Sequence, residues 1–403
     1  MTAAVVAAEI GYRVFLVEKE PYLGGRVMRT YRYFPKMCPP TCGFEINSRR
    51  IRQNPRIVVH TQSTVEKLSG TAGDFKVRIR KRPRYVTGDC SLDDSVAERL
   101  TSKRPNDFNL GMDETKALYY PHDMAYPPLH VVDRGALSEG DAETLQEICP
   151  PGTIDLEMQE EVLDFSVGAV VVATGWQPYD ATQIDNLGFG QYPNIITNMM
   201  MERLAAPNGP TKGKIVRPSD DKEPESVAFV QCAGSRDENH LPYCSYICCM
   251  ASLKQATYVR ERYPDAKIYV FYIDLRTPGN RYEKFYEKIK EDENIFLVKG
   301  KVAEVSEDPA SKNVTVVAEN AVTGEKIHQT VEMVVLATGM QPTAATEKLP
   351  ADLTYNDDGF VVNNFESGGM FATGCANKPA DVVSSNQNAT GMALKAIQTL
   401  VNR

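Results

Sequence analysis

Four cysteines crowded into one short segment are the residues best suited to redox or metal chemistry. The protein has nine cysteines in 403 residues, and four of them lie between positions 232 and 249, at Cys232, Cys244, Cys248 and Cys249. Iron-sulfur clusters are usually held by four cysteine thiolates, and a helix N-terminus beside them lowers thiol pKa values. One thiol at a predicted strand end and three around a predicted helix start therefore indicate an iron-sulfur site.

Three other roles for these cysteines stay open. Zinc accepts four cysteines, although a vicinal Cys-Cys pair makes a poor zinc knuckle. A redox disulfide between Cys244 and Cys248 or Cys249 would leave the other thiols unused, and free structural thiols are the third alternative. On a regular helix Cys249 points about 100° away from Cys248, so a shared site must sit across an irregular helix start. His240, in the intervening loop, is predicted to be a surface residue.

The cysteines occupy the turn of a predicted βαβ unit. The sequence predicts a strand over Ser226–Gln231, a helix over Tyr246–Tyr263 and a second strand over Lys267–Ile273. A nucleotide-binding unit would carry a glycine-rich phosphate turn between its first strand and its helix. In this unit the cysteine-containing segment stands in place of the phosphate-binding turn.

The N-terminal segment has the pattern of the second half of another βαβ unit. Thr2–Ile10 predicts a helix, and Arg13–Val17 predicts a strand that ends at Glu18. An acidic residue in this place accepts hydrogen bonds from an adenosine ribose, and Gly24-Gly25 would let the backbone approach a cofactor closely. The first strand and the glycine-rich turn do not occur in this sequence, so we expect either a late start or an incomplete phosphate site.

Two short segments are nearly identical. Val170-Val-Val-Ala-Thr-Gly175 and Val334-Val-Leu-Ala-Thr-Gly339 are each followed by one residue and then Gln-Pro. A strand that ends in Ala-Thr-Gly turns where the glycine has no side chain to collide with a cofactor or a crossing strand. The two copies predict paired dinucleotide-binding domains. Their candidate cofactor-lining residues are Thr174, Gly175, Thr338 and Gly339.

A third strand-to-glycine ending lies near the C-terminus, at Met370–Gly374. The apolar stripe from Ala389 to Leu400 predicts a helix after it. In flavoproteins with two dinucleotide-binding domains, this segment returns to the first domain and aims a helix N-terminus at the flavin, where negative charge develops on reduction. Gly374 and Cys375 are therefore candidate flavin contacts, and Cys375 stands where Asp is commoner.

Composition argues against several classes of partner. Lys and Arg total 45 and Asp and Glu total 53, so the net charge is −8, and no basic block could follow a nucleic acid. The best apolar runs are strand-sized, far short of the roughly 18 to 20 residues of a membrane helix. The N-terminal residues show no cationic leader, so we expect a cytoplasmic protein whose membrane contact comes through another subunit.

The chain is predicted to divide into three parts. Residues 1–190 form the first part of an FAD-binding domain with an irregular insertion at about 86–150, residues 191–330 form the second βαβ domain with the cysteines, and residues 331–403 return to the first domain. Pro105–Pro128 and Ala205–Glu225 lack periodicity, and we expect both outside the core. Cys90 and Cys149 are isolated, and we expect no cluster there.

Five strings carry a family resemblance. They are Val17–Gly25, Phe34–Gly43, Val230–Asp237, Tyr243–Cys249 and Phe371–Cys375. On these strings the sequence resembles, over nearly its whole length, the flavoprotein subunit of heterodisulfide reductases. It resembles more closely the corresponding flavoprotein of the quinone-interacting membrane-bound oxidoreductase complex, which works with adenylylsulfate reductase in sulfate-reducing microbes.

The resemblance implies an α/β fold of the thioredoxin-reductase type, with FAD and a [4Fe-4S] cluster as cofactors. Glu18 would contact the adenosine ribose. The other residues implied around the flavin are Lys19, Gly24, Gly25, Arg26 and Gly374. The cluster ligands implied are Cys232, Cys244, Cys248 and Cys249. Many flavoprotein subunits of heterodisulfide reductases carry an inserted ferredoxin module, of which only Cys90 and Cys149 remain here.

The resulting hypothesis is an FAD-containing electron-transfer subunit, inactive alone, that passes electrons between menaquinol and adenylylsulfate reductase in dissimilatory sulfate reduction. Its expected partners are the other subunits of the complex, including a membrane haem or quinone subunit, and adenylylsulfate reductase. One rival is a stand-alone NAD(P)H-dependent disulfide reductase, although cysteines replace the glycines that its nucleotide would need. The other rival is a cofactor-poor scaffold subunit.

Overall fold

The computed structural model describes residues 1–87, 92, 94–366 and 368–401. Cys90 lies outside these residues. The described helices are α1 (Thr2–Ile10), α2 (Thr41–Gln53), α3 (Asp94–Glu98), α4 (Glu139–Ile148), α5 (Asn198–Ala205), α6 (Cys248–Arg262), α7 (Asn280–Lys290) and α8 (Val382–Val401). Within the described residues, no helix combines the length and the apolar character needed to cross a bilayer.

The strands of the described residues lie between these helices, singly or in runs of several. They are β1 (Val14–Val17), β2 (Ile57–His60), β3 (Ser63–Thr71), β4 (Asp74–Lys81), β5 (Lys103–Pro105), β6 (Glu114–Lys116), β7 (Leu118–Tyr119), β8 (Val131–Val132), β9 (Glu161–Val167), β10 (Val170–Val172), β11 (Trp176–Pro178), β12 (Ile195–Thr197), β13 (Ser226–Ala233), β14 (Lys267–Tyr272), β15 (Ile295–Lys299), β16 (Val302–Glu307), β17 (Val314–Glu319), β18 (Lys326–Val331), β19 (Met333–Thr338), β20 (Met340–Pro342) and β21 (Met370–Ala372).

The elements from β12 to β19, residues 195–338, are called the middle region, and a five-stranded parallel sheet in the order β12-β19-β13-β14-β15 forms its centre. Its strands are continuous apolar runs because both faces are covered. Phe229 packs under α5, α6 and α7 on one face, and Val230 packs under the antiparallel sheet β16-β17-β18 on the other. The strands predicted to start at Ser226 and Lys267 are confirmed, whereas the helix predicted from Tyr246 begins two residues later, at Cys248.

Strand β19 pairs with both β12 and β13, so it belongs to this middle sheet. From the sequence, residues 331–403 are grouped with the first domain. In the structure the chain completes the middle sheet first and then passes back through β20, which pairs antiparallel with β11. The two Gln-Pro tails of the repeated segments thus pair with each other, with Gln177 opposite Gln341.

The rest of the described chain, before residue 195 and after residue 338, is called the first region, and it contains two separate parallel pairs of strands, β1-β2 and β10-β21. Helices α1 and α8 pack against each other, and α1 buries Val5 and Ala8. The antiparallel sheet β3-β4-β9 packs through Phe75 and Ile79 against the side chains of Val170 and its neighbours. The predicted helix Thr2–Ile10 and the strand that ends before Glu18 are confirmed.

The prediction that residues 105–128 and 205–225 lie outside the core is wrong. Phe108 is 7% exposed, and Leu118 and Ile215 are fully buried. Short strands, turns and side-chain donors satisfy the backbone hydrogen-bonding groups of these segments. For example, the Tyr263 hydroxyl donates to the Ile215 carbonyl at 2.7 Å. The segments lack periodicity because they pack with a few anchoring side chains instead of one continuous face.

Candidate cofactor and metal sites

The cysteine loop, residues 232–249, leaves strand β13 in an irregular conformation. Cys232 has a left-handed φ of 58°, and Tyr246, just before α6, has a φ of 69°. The pairing of β13 with β19 shifts register between Val230 and Ala233. Non-glycine residues with positive φ are uncommon and cluster at functional sites, where the surrounding structure compensates for the strain. Strained residues therefore stand at both ends of the loop.

The four thiols of this loop converge at the start of α6. Cys248 and Cys249 are the first two residues of the helix, and each pair among the four thiols is close enough to interact electrostatically. All four are free of disulfide bonds. Within the part of the chain that the structure describes, no three His, Cys, Asp or Glu side chains form a metal-binding arrangement. The thiols thus share one neighbourhood, across the helix end, without forming a coordination shell.

Burial and backbone amides act in opposite directions on these thiols. Burial raises the pKa of Cys232 to about 11 and raises the pKa of Cys248 well above its usual value. The Tyr246 N–H donates to Cys244 Sγ at 3.4 Å. Burial also raises the pKa of Cys249, and the nearby backbone of Arg276 opposes that rise. Because N–H donors favour thiolates, the donor set fits a group that binds four thiolates and displaces their protons.

Buried hydroxyl groups hold the shape of the cysteine loop. Ser235 Oγ and Ser245 Oγ are hydrogen-bonded at 2.7 Å, and Ser245 Oγ also accepts from the Met340 N–H at 2.7 Å. The Tyr243 hydroxyl donates to the Met340 carbonyl at 2.9 Å. The chain just beyond the second Ala-Thr-Gly segment is therefore the platform on which the loop rests.

Thr338 and Gly339, which the repeat predicts to line a cofactor, are buried beneath this loop. Thr338 Oγ1 donates to Asn198 Oδ1 at 3.2 Å, and the Thr338 carbonyl accepts from Cys248 Sγ at 3.8 Å. A Cβ atom on Gly339 would lie 2.5 Å from Ser235 Oγ. Their observed neighbours belong to the cysteine loop and its support, and a contact with a cofactor stays a prediction.

Thr174 and Gly175, at the end of the first repeat, border open space instead. Thr174 is exposed, and a Cβ atom on Gly175 would meet no atom within 4 Å. Gly25 is equally open, with a φ of 58°, whereas a Cβ atom on Gly24 would lie 2.6 Å from the Met28 side chain. Two loops thus expose bare backbone, as a closely approaching ligand requires.

Arg26 connects the two open loops. Its guanidinium lies 5.8 Å from the centre of the Trp176 ring, next to Gly175 in the chain. Burial lowers the pKa of Arg26, and the neighbouring charge of Arg29 lowers it further. The residues that follow Gly25 and Gly175 in the chain are therefore in contact, and one of them is a half-buried cation.

Glu18, the predicted ribose ligand, ends β1 in a dehydrated position. Burial raises its carboxyl pKa, and its Oε1 accepts from the Glu20 N–H at 3.0 Å. A ribose hydroxyl would supply a further donor to this carboxylate. The next residue, Lys19, is turned to the surface, where its ammonium pairs with Glu347 at 2.6 Å.

The predicted strand, glycine and helix near the C-terminus are confirmed as structural elements. Gly374 follows β21 with a φ of 56°, and its N–H donates to Asn388 Oδ1 at 2.9 Å. The Cys375 thiol donates to the Ala380 carbonyl at 3.4 Å, and burial raises its pKa. Helix α8 then begins at Val382, so the glycine turn and the helix start adjoin each other.

Sequence reasoning missed a buried ion pair between two helices of the middle region, at the point where the first region contacts them. Lys254 on α6 and Glu202 on α5 lie 2.8 Å apart, and their side chains are 6% and 3% exposed. Lys254 also donates to the Arg32 carbonyl at 2.6 Å, and Glu202 accepts from the Tyr31 N–H at 2.9 Å. The position of Lys254 beside the apolar stripe of α6, directly after Leu253, was the available signal.

A cavity of about 520 Å³ adjoins the end of β13. Gln231 lines it, and both amide atoms of that side chain are buried without a hydrogen-bond partner. Asp237 and Glu319 also line the cavity, and its Lys301 is paired with Asp237 at 2.9 Å. Two acidic residues thus line the cavity, and its lysine is already paired with one of them. This charge distribution disfavours the binding of a pyrophosphate.

No protein-family model matches the chain. A CoB-CoM heterodisulfide reductase iron-sulfur subunit of Methanopyrus kandleri is 35% identical over 410 residues, which cover 99% of this chain and 62% of that protein. The corresponding subunit of the H2:CoB-CoM heterodisulfide,ferredoxin reductase of Methanothermobacter thermautotrophicus is 32% identical, with coverage of 99% and 62%. The chain thus spans about three fifths of the length of these relatives.

Solved structures resemble the fold at low sequence identity. Thioredoxin reductase of Lactococcus lactis matches with a TM-score of 0.53 and 12% identity, over 100% of this chain and 95% of that chain. The T. acidophilum thioredoxin reductase matches with a TM-score of 0.52 and 13% identity, over 100% and 93%. These matches confirm the predicted α/β fold with two dinucleotide-binding domains. The chain is therefore similar, along almost its entire length, to iron-sulfur subunits of heterodisulfide reductases, and it has the fold of thioredoxin-reductase-like flavoproteins.

Proposed function

We propose that the chain is an FAD-containing electron-transfer subunit of a multi-subunit oxidoreductase. The observation that carries the proposal is the convergence of four thiols at the start of α6, where a nucleotide-binding domain has its phosphate turn. A [4Fe-4S] cluster on Cys232, Cys244, Cys248 and Cys249 fits that donor set. The names of the relatives, which are iron-sulfur subunits of heterodisulfide reductases, support the same assignment.

The open loops of the first region are the proposed flavin site. Glu18 would accept a hydrogen bond from the ribose, and bare backbone at Gly25 and Gly175 would admit the cofactor closely. The N-terminus of α8 provides partial positive charge beside Gly374. When bound, FAD supplies the ability to exchange electrons in pairs on one side and singly on the other. The remaining residues proposed for this site are Lys19, Gly24, Arg26, Thr174, Thr338, Gly339 and Cys375.

We further propose the partners that the five strings suggest. The protein would pass electrons between menaquinol and adenylylsulfate reductase in dissimilatory sulfate reduction, within a quinone-interacting complex that includes a membrane haem or quinone subunit. It would lie in the cytoplasm at the inner face of the membrane and be inactive alone. Purification of the native complex, followed by menaquinol-dependent reduction of adenylylsulfate reductase, tests this assignment, and its absence in an intact complex would contradict it.

The cavity beside Cys232 argues against the alternative function of an NAD(P)H-dependent disulfide reductase. A nicotinamide nucleotide would bring a pyrophosphate to the end of β13, where Asp237 and Glu319 would repel it. We expect no NADH oxidation by the isolated chain, and a measurable rate would revive this rival. Colourless protein from the native complex would instead favour a scaffold subunit.

The cluster assignment predicts which cysteine carries iron. In the complex purified anaerobically, Cys248→Ser is expected to lose about one four-iron cluster and to retain flavin. The matched control is Cys149→Ser, which changes a buried cysteine outside the loop and is expected to keep both. Flavin, iron and acid-labile sulfide counts measure the result. Unchanged iron in Cys248→Ser would return the loop cysteines to structural or disulfide roles.

A further inference from the structure

The loop that follows β1, residues 18–25, carries the proposed ribose ligand and the two glycines of the proposed flavin site. Backbone hydrogen bonds hold its first half. The Ser63 N–H donates to the Glu18 carbonyl at 2.9 Å, and the Gln62 N–H donates to the Glu20 carbonyl at 3.0 Å. Both donors lie at the start of β3, so the edge of that strand orders the part of the loop nearest to β1.

A buried guanidinium holds the second half of the loop. Arg84, three residues after the end of β4, is 8% exposed. Its Nη2 donates to the Pro21 carbonyl and to Thr61 Oγ1, and its Nη1 donates to the Leu129 carbonyl at 3.0 Å. Leu129 belongs to the inserted segment, residues 86–150. One buried cation therefore joins the loop of the proposed flavin site to the inserted segment.

Two further contacts join the loop and the inserted segment beside Arg84. The Leu23 N–H donates to the Tyr126 carbonyl at 2.9 Å. The ring of Tyr22 meets the ring of His122 edge to face, with ring centres 4.8 Å apart, and both side chains are buried. The inserted segment thus packs on the loop directly before its two glycines.

The chemistry of Arg84 makes its contact the strongest of these. Burial lowers the pKa of its guanidinium to about 10, so the group is still a cation at neutral pH. Hydrogen bonds from a charged donor are about twice as strong as neutral ones. Separation of the loop from the inserted segment would leave a buried cation without its oxygen partners, which is unfavourable.

We propose that Arg84 is a positioning residue that holds loop 18–25 against the inserted segment and so presents an ordered surface to FAD. This inference rests on the proposed function. A loop that becomes ordered only on binding costs binding free energy, whereas a loop that is already ordered does not. The inserted segment therefore contributes to flavin affinity, although none of the residues proposed to contact the flavin belongs to it.

Hydrogen exchange tests the contact in the flavin-free full chain. Arg84→Met removes all the donors, whereas Arg84→Lys keeps the charge and can reach one of the oxygens. The matched control is Arg217→Met, which removes a buried arginine of the middle region whose Nη2 donates to the Ser311 carbonyl at 2.8 Å. The Leu23 amide is expected to exchange about tenfold faster in Arg84→Met, the equivalent of one charged hydrogen bond, and at the wild-type rate in the control.

Arg84→Lys should give an intermediate exchange rate, and it decides the same point if Arg84→Met does not fold. Wild-type exchange of the Leu23 amide in a folded Arg84 variant overturns the inference.

Titration of the full chain with FAD, followed by flavin fluorescence, gives the second readout. The dissociation constant is expected to rise about tenfold in Arg84→Met and less in Arg84→Lys. It should stay at the wild-type value in Arg217→Met, even where that variant is less stable. Equal affinity in Arg84→Met and wild type overturns the inference, and so does an equal loss in Arg217→Met, because general destabilisation would then explain both. If the wild-type chain does not bind FAD, the proposed function fails instead, and exchange of the Leu23 amide decides the positioning role alone.

Discussion

The two Ala-Thr-Gly strand ends share a sequence and differ in everything around them. At the first, Thr174 is exposed, and the space beside Gly175 is open. At the second, Thr338 is 3% exposed, and Gly339 is pressed against Ser235 of the cysteine loop. The Gln-Pro tails that follow pair with each other, so one antiparallel link joins the open end to the closed end.

This difference shows that one motif can serve two purposes. A strand that ends in Ala-Thr-Gly offers bare backbone, and either a ligand or another part of the protein can use it. In the first region it borders the proposed flavin site, and in the middle region the cysteine loop has occupied the equivalent position. At the second strand end, the position that a bound nucleotide would occupy is filled by the loop that carries the four thiols.

The largest difference between the two strand ends is expected when each glycine is replaced by alanine, which adds one methyl group. Gly339→Ala would place Cβ 2.5 Å from Ser235 Oγ and 2.6 Å from Leu241 Cδ1. Because Ser235 is held by Ser245, we expect a loss of about 2 to 3 kcal/mol in unfolding free energy, with reduced iron content. Urea unfolding and iron counts measure the two effects.

Gly175→Ala is the matched control at the open end. Its Cβ meets no atom within 4 Å, so only the left-handed φ of 73° opposes it, at a cost of about 1 kcal/mol. Iron content is expected to stay at the wild-type level. Equal destabilisation by the two alanines would mean that the second strand end is as open as the first.

A smaller effect is expected at the neighbouring threonines. Thr338→Val removes the bond from Oγ1 to Asn198 Oδ1, which is 3.2 Å long and buried, and should cost about 1 kcal/mol. Thr174→Val changes an exposed side chain and should stay within about 0.5 kcal/mol of wild type. Chemical denaturation compares the pair, and a larger loss at Thr174 would contradict the assignment of open and closed ends.

The smallest effect concerns the charge beside the open end. Burial raises the carboxyl pKa of Glu18, so ionisation destabilises the folded chain as pH rises from about 4.3, the usual pKa of Glu, through the raised value. In the flavin-free chain, Glu18→Gln should therefore match wild-type stability at pH 4 and exceed it at pH 8, and the variant is expected to bind less flavin. Unfolding midpoints at both pH values test the sign. A constant difference would exclude titration of Glu18.

Long periodic segments made much of this fold predictable. The run Val334–Gly339 indicated a buried strand, and the cysteine spacing required any shared site to lie across a helix start, where two of the four cysteines do lie. Local sequence could not show that the two repeats have opposite surroundings, because burial of Thr338 depends on a loop about a hundred residues earlier in the chain. The pair Glu202–Lys254 was missed for the same reason, since each partner alone resembles a surface residue.

The bonds among Ser235, Ser245 and Met340 have a consequence for the order of assembly. They join oxygen and nitrogen atoms and involve no sulfur. These bonds therefore hold part of the cysteine loop whatever the oxidation state of its thiols, and we expect that part to form before any inorganic component is inserted. Insertion of the proposed iron-sulfur cluster would then require delivery of iron and sulfide to a loop that is already partly folded, with deprotonation of the thiols as the chemical step.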